Sequence, residues 1–312
     1  MVDFKMVDIN GQYRHVTIPA ENFSEDTMKS GIGFDASNYG YAVVEKSDMV
    51  FIPDPDTAVI DPFCEIPTLS MTGNAMIIDN PENRPLAQYP RNIIKAAVEH
   101  MKNSGVADEM KILPEFEFYL FDDVTWNVEG RYIGATVDAK QSYWNSDVEG
   151  KGVVVPKQKN YHIAKPFDIS YECRSEMCML MKDAGIEINY HHPEVAASGQ
   201  FEIEPQLGEV VHMADATMWI KYIIHNTALK YGKTATFMPK PIYGEAGSGM
   251  HVHMILFMDG KPVFADDAGY AGLSETAHYF MGGLLKHIGA LCAITNQAQT
   301  HSSVLFLALK LL

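Results

Sequence analysis

Ile112-Leu113-Pro114-Glu115-Phe116-Glu117-Phe118-Tyr119-Leu120-Phe121 decides how this chain is read. The stretch is apolar and aromatic apart from two carboxylates, and it reads as a β-strand. A period of two puts Glu115 and Glu117 on one face and Phe116 and Phe118 on the other. Two neighbouring carboxylates inside an apolar strand are costly to bury without partners. Either a metal ion or Arg/Lys partners neutralise them, or the face is an outward polar stripe.

Two further stretches carry the same kind of residue. In Tyr190-His191-His192-Pro193-Glu194-Val195-Ala196-Ala197-Ser198-Gly199-Gln200-Phe201-Glu202, the residues Gln200, Glu202 and Glu204 alternate with Phe201 and Ile203, again a strand with an acidic face. Glu194 precedes it across a glycine-containing turn. His191 and His192, taken alone, read as structural histidines. In Gly247-Ser248-Gly249-Met250-His251-Val252-His253 a glycine turn feeds a strand with His251 and His253 on one face. Carboxylates with one imidazole suit Mg2+ or Mn2+, whereas zinc favours more His or Cys. Two such ions would clamp phosphate oxygens, which points to chemistry on a nucleotide phosphate. Neither G-x-x-x-x-G-K-[ST] nor G-x-G-x-x-G is present, so an ordinary P-loop or Rossmann site is not expected.

The bulk properties agree. The chain has 312 residues, room for one large domain or two ordinary ones, and 47% hydrophobic residues supply a core. The net charge is −16, which repels nucleic acid and anionic lipid, so neither is an expected partner. The four cysteines show no C-x-x-C spacing and read as reduced, mostly buried residues of a cytoplasmic protein. No signal-peptide pattern opens the sequence, and no apolar run reaches the roughly 20 residues of a membrane span.

The first eighty or so residues are rich in strand signals, such as Tyr13–Ile18 and Asp48–Ile52. Asp79-Asn80-Pro81-Glu82-Asn83-Arg84-Pro85 reads as a linker, which sets expected domains at 1–85 and 86–312. Beyond it, helices and strands alternate. A helix is predicted over Pro90–Asn103, a second capped by Asp168 and ending at Gly185, and a third over Met213–Tyr231 with Gly232 as its stop.

With these segments in order, the chain resembles a bacterial type I glutamine synthetase. Gly33-Phe34-Asp35-Ala36-Ser37-Asn38, Pro114–Phe118, His191–Glu202, Gly232-Lys233-Thr234-Ala235-Thr236-Phe237-Met238-Pro239-Lys240-Pro241 and Gly247–His253 carry the likeness, which runs from Val2 to about Asn296. The resemblance implies an α+β protein: an N-terminal β-grasp domain followed by a catalytic α/β domain, incomplete at its C-terminus. It implies an assembly of two rings of six subunits with each active site shared between neighbours. The reaction implied is ATP-dependent ligation of ammonium to the side-chain carboxylate of glutamate through γ-glutamyl phosphate. Carried over by position, Glu117, Glu194 and Glu202 would hold one Mg2+ or Mn2+ ion, and Glu115 and His251 the other. His253 would contact the phosphates of ATP, and Gly247 would sit beside the substrate glutamate. Asp35, from the adjacent subunit, would bind ammonium and take its proton. A related ligase with another amine as acceptor, or a non-catalytic subunit, are the alternative readings.

The sequence departs from the family at Ala246, often Asn there, at Ile255, often Ser, and at Asn189 and Pro193 beside the histidine pair. It departs most after Asn296. One permitted codon choice for Gln297–Leu312, read with a single base inserted after the Asn296 codon, gives Pro-Ser-Thr-Asn-Ser-Phe-Lys-Arg-Leu-Val-Pro-Gly-Phe-Glu-Ala-Pro. That is the continuation the resemblance implies, with the family's flap glutamate. Residues 297–312 are therefore expected to be out of frame. The flap glutamate, the arginines that bind substrate and phosphate, and the last ligand of the second metal are expected beyond the match, and the chain alone to be inactive.

Overall fold

The computed structural model of the chain describes residues 1–79, 81–150 and 152–296. The expectations for residues 297–312 lie outside it. The chain divides into two compact units: Met1–Met110 with Glu209–Trp219, and Lys111–Gly208 with the chain from Ile220 onward.

The first unit holds strands β1 (Val2–Val7), β2 (Tyr13–Ile18), β3 (Ile32–Asp35), β4 (Asp48–Pro53), β5 (Val59–Ile60), β6 (Leu69–Met71), β7 (Gly73–Ile77) and β8 (Arg84–Pro85), with helices α1 (Glu25–Ser30) and α2 (Pro90–Ser104). The strands form two sheets, ordered β2-β1-β6-β5 and β3-β4-β7-β8. Strands β1 and β6 run parallel; β1–β2 and β5–β6 are antiparallel. Phe4, Met6, Phe51, Met71, Ala75 and Tyr89 close a core with almost no exposure. The expected linker is not free chain: Arg84 and Pro85 pair back onto Ile77 and Met76. Helix α2 starts with Pro90 and ends on Gly105 at φ 71°, a left-handed position that glycine tolerates. It is tied to this unit through Asn92, which donates to the Ala75 and Leu86 carbonyls at 2.7 and 2.9 Å.

The second unit continues with β9 (Glu109–Pro114), β10 (Phe116–Phe121), β11 (Asp123–Glu129), β12 (Tyr132–Asp138), α3 (Tyr171–Asp183), β13 (Ile188–Pro193), β14 (Gln200–Pro205), β15 (Gly208–Glu209), α4 (Val210–Lys230), β16 (Thr234–Thr236), β17 (Val252–Met258), β18 (Lys261–Pro262) and α5 (Glu275–Thr295). Its central sheet is antiparallel, ordered β13-β14-β10-β16, and β11 and β12 form a separate hairpin. Phe116, Phe118, Phe201 and Ile203 are fully buried on the apolar side of that sheet.

Three sequence expectations need correction. The stretch Ile112–Phe121 is not one strand. Strand β9 lies in the sheet of β17 and β10 in the central sheet, and the Glu115 amide at the break donates to the His251 carbonyl at 2.9 Å. Asp168 does not cap α3, whose N-cap is Ser170; its two oxygens accept from Arg174 Nη1 and Nη2 at 2.8 and 2.7 Å. A buried guanidinium competes more strongly for a carboxylate than a helix amide does. Of the cysteines, Cys173 is buried but Cys64 is exposed. Among the described residues, no helix is long and apolar enough to cross a membrane.

Candidate metal centre

The register of the central sheet builds the site. Glu117 on β10 lies opposite Glu202 on β14, and Glu202 lies opposite His192 on β13. Directly opposed residues of antiparallel strands share a face. One imidazole and two carboxylates therefore stand in a row across three strands, on the side away from the phenylalanines. Glu117 and Glu202 are each 8% exposed.

Glycine and glutamine position the row. Gly249 donates its amide to Glu117 Oε2 at 3.0 Å. A Cβ on Gly249 would come within 3.2 Å of both Glu117 Oε1 and His251 Nε2, so the close approach favours glycine. Gln200 Nε2 lies 3.3 Å from the same Glu117 oxygen and donates to the Gly247 carbonyl at 2.8 Å. Gly199 turns the chain at φ +88°, where a Cβ would meet the Leu120 carbonyl at 2.5 Å. That turn brings Glu194 back beside the sheet, its amide donating to the Gln200 carbonyl at 2.9 Å.

On the other side of Glu117, His251 Nδ1 lies 2.5 Å from Glu115 Oε2 and 3.9 Å from Glu117 Oε1. His253 Nε2 lies 2.7 Å from Glu115 Oε1. The structure thus brings Glu115, Glu117, His251 and His253 together, and Glu194 and Glu202 with His192. Glu204, next on the acidic face, is committed to protein partners: Asn189 donates to Oε1 at 2.9 Å and the Tyr190 hydroxyl to Oε2.

The two halves of the cluster have different electrostatics. Burial, and after it the charge of Glu117, pushes Glu194 up to about 7 and Glu202 up to about 8. Burial also raises Glu117, against the pull of the Gly249 amide. Burial works to raise Glu115 as well, but hydrogen bonds from His253 and His251 prevail and hold it below the ordinary carboxylate range. For His251, burial is overcome by the bond to Glu115, and the imidazole is raised. Glu194 Oε2 is buried and meets no hydrogen-bond donor among the described residues. Acceptors without donors and mutually repelling carboxylates are the chemistry a hard dication satisfies, so the residues fit Mg2+ or Mn2+.

Asp35 belongs to the first unit and is exposed at the end of β3. Its Oδ1 accepts from the Ser37 hydroxyl at 2.6 Å and the Ser37 amide at 2.9 Å, and its Oδ2 from Asn38 at 2.9 Å. Ser37 foremost holds its carboxyl below the ordinary range. His192 and Gln200 were not singled out from the sequence. Alternation with Glu202 could have flagged Gln200; no local signal distinguishes His192 from His191.

The chain matches the family described as "Glutamine synthetase, catalytic domain" over residues 87–302 and that described as "Glutamine synthetase, beta-Grasp domain" over residues 1–77. It is 43% identical to the 3-hydroxylaminophenol mutase of Cupriavidus pinatubonensis, over 95% of this chain and 63% of that protein. It is 42% identical to the glutamine synthetase of Pseudomonas aeruginosa, over 95% of this chain and 64% of that protein. The cryo-EM structure of Plasmodium falciparum glutamine synthetase superposes with a TM-score of 0.87 at 26% identity, covering 97% of this chain and 60% of that one. The chain therefore spans a little under two thirds of the length of these relatives.

Proposed function

Since the chain belongs to the glutamine synthetase family, we propose that it supplies the metal-binding part of a site that ligates ammonia to the side-chain carboxylate of L-glutamate, coupled to ATP. In this reading a γ-carboxylate oxygen of glutamate attacks the γ-phosphorus of ATP and ADP leaves. Ammonia then attacks the acyl carbon, phosphate leaves, and glutamine is formed. Two Mg2+ or Mn2+ ions, one held by Glu117, Glu194 and Glu202 and one by Glu115 and His251, would supply positive charge to the phosphate oxygens. His253 faces the same carboxylate as His251 and contacts the nucleotide phosphates. Gly247, fixed by Gln200, lies beside the glutamate. Asp35 of a neighbouring subunit binds ammonium and accepts its proton; its low basicity suits a group that stays charged to attract a cation. A ring assembly follows from that sharing.

The observation that carries the reading is the set of buried carboxylates, Glu117, Glu194 and Glu202, held together without a lysine or arginine among their described partners. The test has two arms. Mn2+ titration followed by electron paramagnetic resonance should show tight sites that Glu117→Gln and Glu202→Gln remove. The chain, completed after Asn296 by the part of the Pseudomonas aeruginosa relative that the match leaves uncovered, should release phosphate from ATP only with both L-glutamate and ammonium present. Methylamine and polyamines, offered in place of ammonium, separate this activity from that of a ligase with another acceptor. Weak, mutation-insensitive Mn2+ binding would remove the basis of the proposal.

A further inference from the structure

A bulge decides which of the two adjacent histidines faces the carboxylates. Strands β13 and β14 begin with Ile188 opposite Pro205, but the next pairs are Tyr190 with Glu204 and His192 with Glu202, with the register shifting between Ile188 and Tyr190. Had the first register continued, His191 would stand opposite Glu202. The extra residue, Asn189, moves the partner on by one and reverses the face of everything after it. His191 consequently packs toward α3, its Nδ1 3.3 Å from Arg174 Nε. His192 joins the row with Glu202 and Glu117. Pro193, which follows, lacks an N–H and is tolerated because β13 is the edge strand of its sheet.

The orientation of His192 is also specified. Its Nδ1 lies 3.0 Å from the Pro193 carbonyl oxygen. A carbonyl only accepts, so Nδ1 is the donor and, in the neutral ring, Nε2 carries the lone pair. That Nε2 lies 3.5 Å from Glu202 Oε2. Ligating histidines are commonly held this way, one ring N–H fixed on a backbone carbonyl and the other nitrogen aimed at the metal. Glu202 is 92% buried, being 8% exposed, and accepts no hydrogen bond from any described residue. Glu194 Oε2 is buried without a donor. His192, Glu194 and Glu202 each offer one ligand atom, and all three atoms lie within 4.8 Å of one another.

We propose that His192 is a further ligand of the ion held by Glu194 and Glu202, so that this site prefers a transition-metal dication such as Mn2+ to Mg2+. An imidazole nitrogen adds more to the binding of Mn2+ than of Mg2+, which keeps to oxygen donors. The proposal rests on the metal reading above and adds a residue to it.

The test loads H251Q/H253Q protein with stoichiometric Mn2+ and records electron spin echo envelope modulation. Both mutated side chains are 61% exposed, and His192 stays native, so the measurement does not depend on a perturbed core. Nitrogen-14 modulation should persist in this variant and vanish when H192Q is added. H192Q alone should lower the Mn2+ to Mg2+ affinity ratio by about 10-fold. Bound Mn2+ without nitrogen modulation in H251Q/H253Q overturns the role of His192 while leaving the metal centre standing. Failure of the unmutated protein to bind Mn2+ overturns both.

Discussion

Two buried charge clusters, one in each unit, are built on opposite plans. In the first unit Arg91 gives Nη2 to Asp54 at 2.7 Å, Nη1 to Asn74 at 3.0 Å, and Nε to both oxygens of Asp215 at 3.0 Å. Every partner is a side chain of the same unit, and charge meets charge. In the second unit Glu117, Glu194 and Glu202 have the Gly249 amide, Gln200 and His192 as polar neighbours, but no full positive charge facing them. The closed cluster holds the fold together. The open one stores repulsion that an ion from outside relieves, and buried charge left in that condition is a mark of function.

If charge balance is the real difference, the largest effect on stability belongs to the closed cluster. Arg91→Ala leaves Asp54 and Asp215 facing each other with no guanidinium, and unfolding stability should fall by about 3–5 kcal/mol. Urea denaturation measures it, and Mn2+ affinity should be unchanged. A loss under about 1 kcal/mol would erase the contrast.

Glu117→Gln should do the reverse. Mn2+ affinity should drop by about 100-fold or more, while the metal-free protein keeps its stability or gains on the order of 1 kcal/mol, because a carboxylate disfavoured by burial has been made neutral. Isothermal titration and thermal melts separate the two effects. A destabilised, metal-competent variant would show that Glu117 acts as a structural partner, as Asp215 does.

The smallest effect concerns pH. The raised carboxyls bind protons more tightly folded than unfolded, so their contribution is fully present below the ordinary glutamate range and is lost as pH rises to about 7 for Glu194 and about 8 for Glu202. The metal-free protein should therefore melt a few degrees lower at pH 8.5 than at pH 5.5 through these groups. Saturating Mn2+ should cancel the decline, since binding displaces the same protons. A metal-free melting temperature that is flat across this window, with the other carboxyls already ionised, would place the two glutamates in ordinary solvent.

Much of the site was legible in the residues. Alternation in Glu115–Phe118 and in Gln200–Glu204 separated acidic from aromatic faces, because a strand reverses its side chains at each residue. The glycines of Gly247–Gly249 and Gly199 signalled close approach and tight turning. Less legible was the change of sheet at Glu115. An apolar run with a proline inside it reads as one strand until the partners of each half are known, and those partners are the distant β17 on one side and β14 on the other. The segment read as a linker likewise became part of a sheet by pairing with Met76 and Ile77.

The sequence by itself determined which side chains could carry a dication, that they lie on strands, and that they stand beside apolar faces able to bury them. Composition and periodicity are local properties, and they survive whatever the rest of the chain does. Only the tertiary structure decided the row of His192, Glu202 and Glu117, because register across strands depends on pairings between residues far apart in sequence. One bulged residue at Asn189 shifts that register by one. With a side-chain period of two, a shift of one exchanges the faces, and so selects which histidine points at the carboxylates.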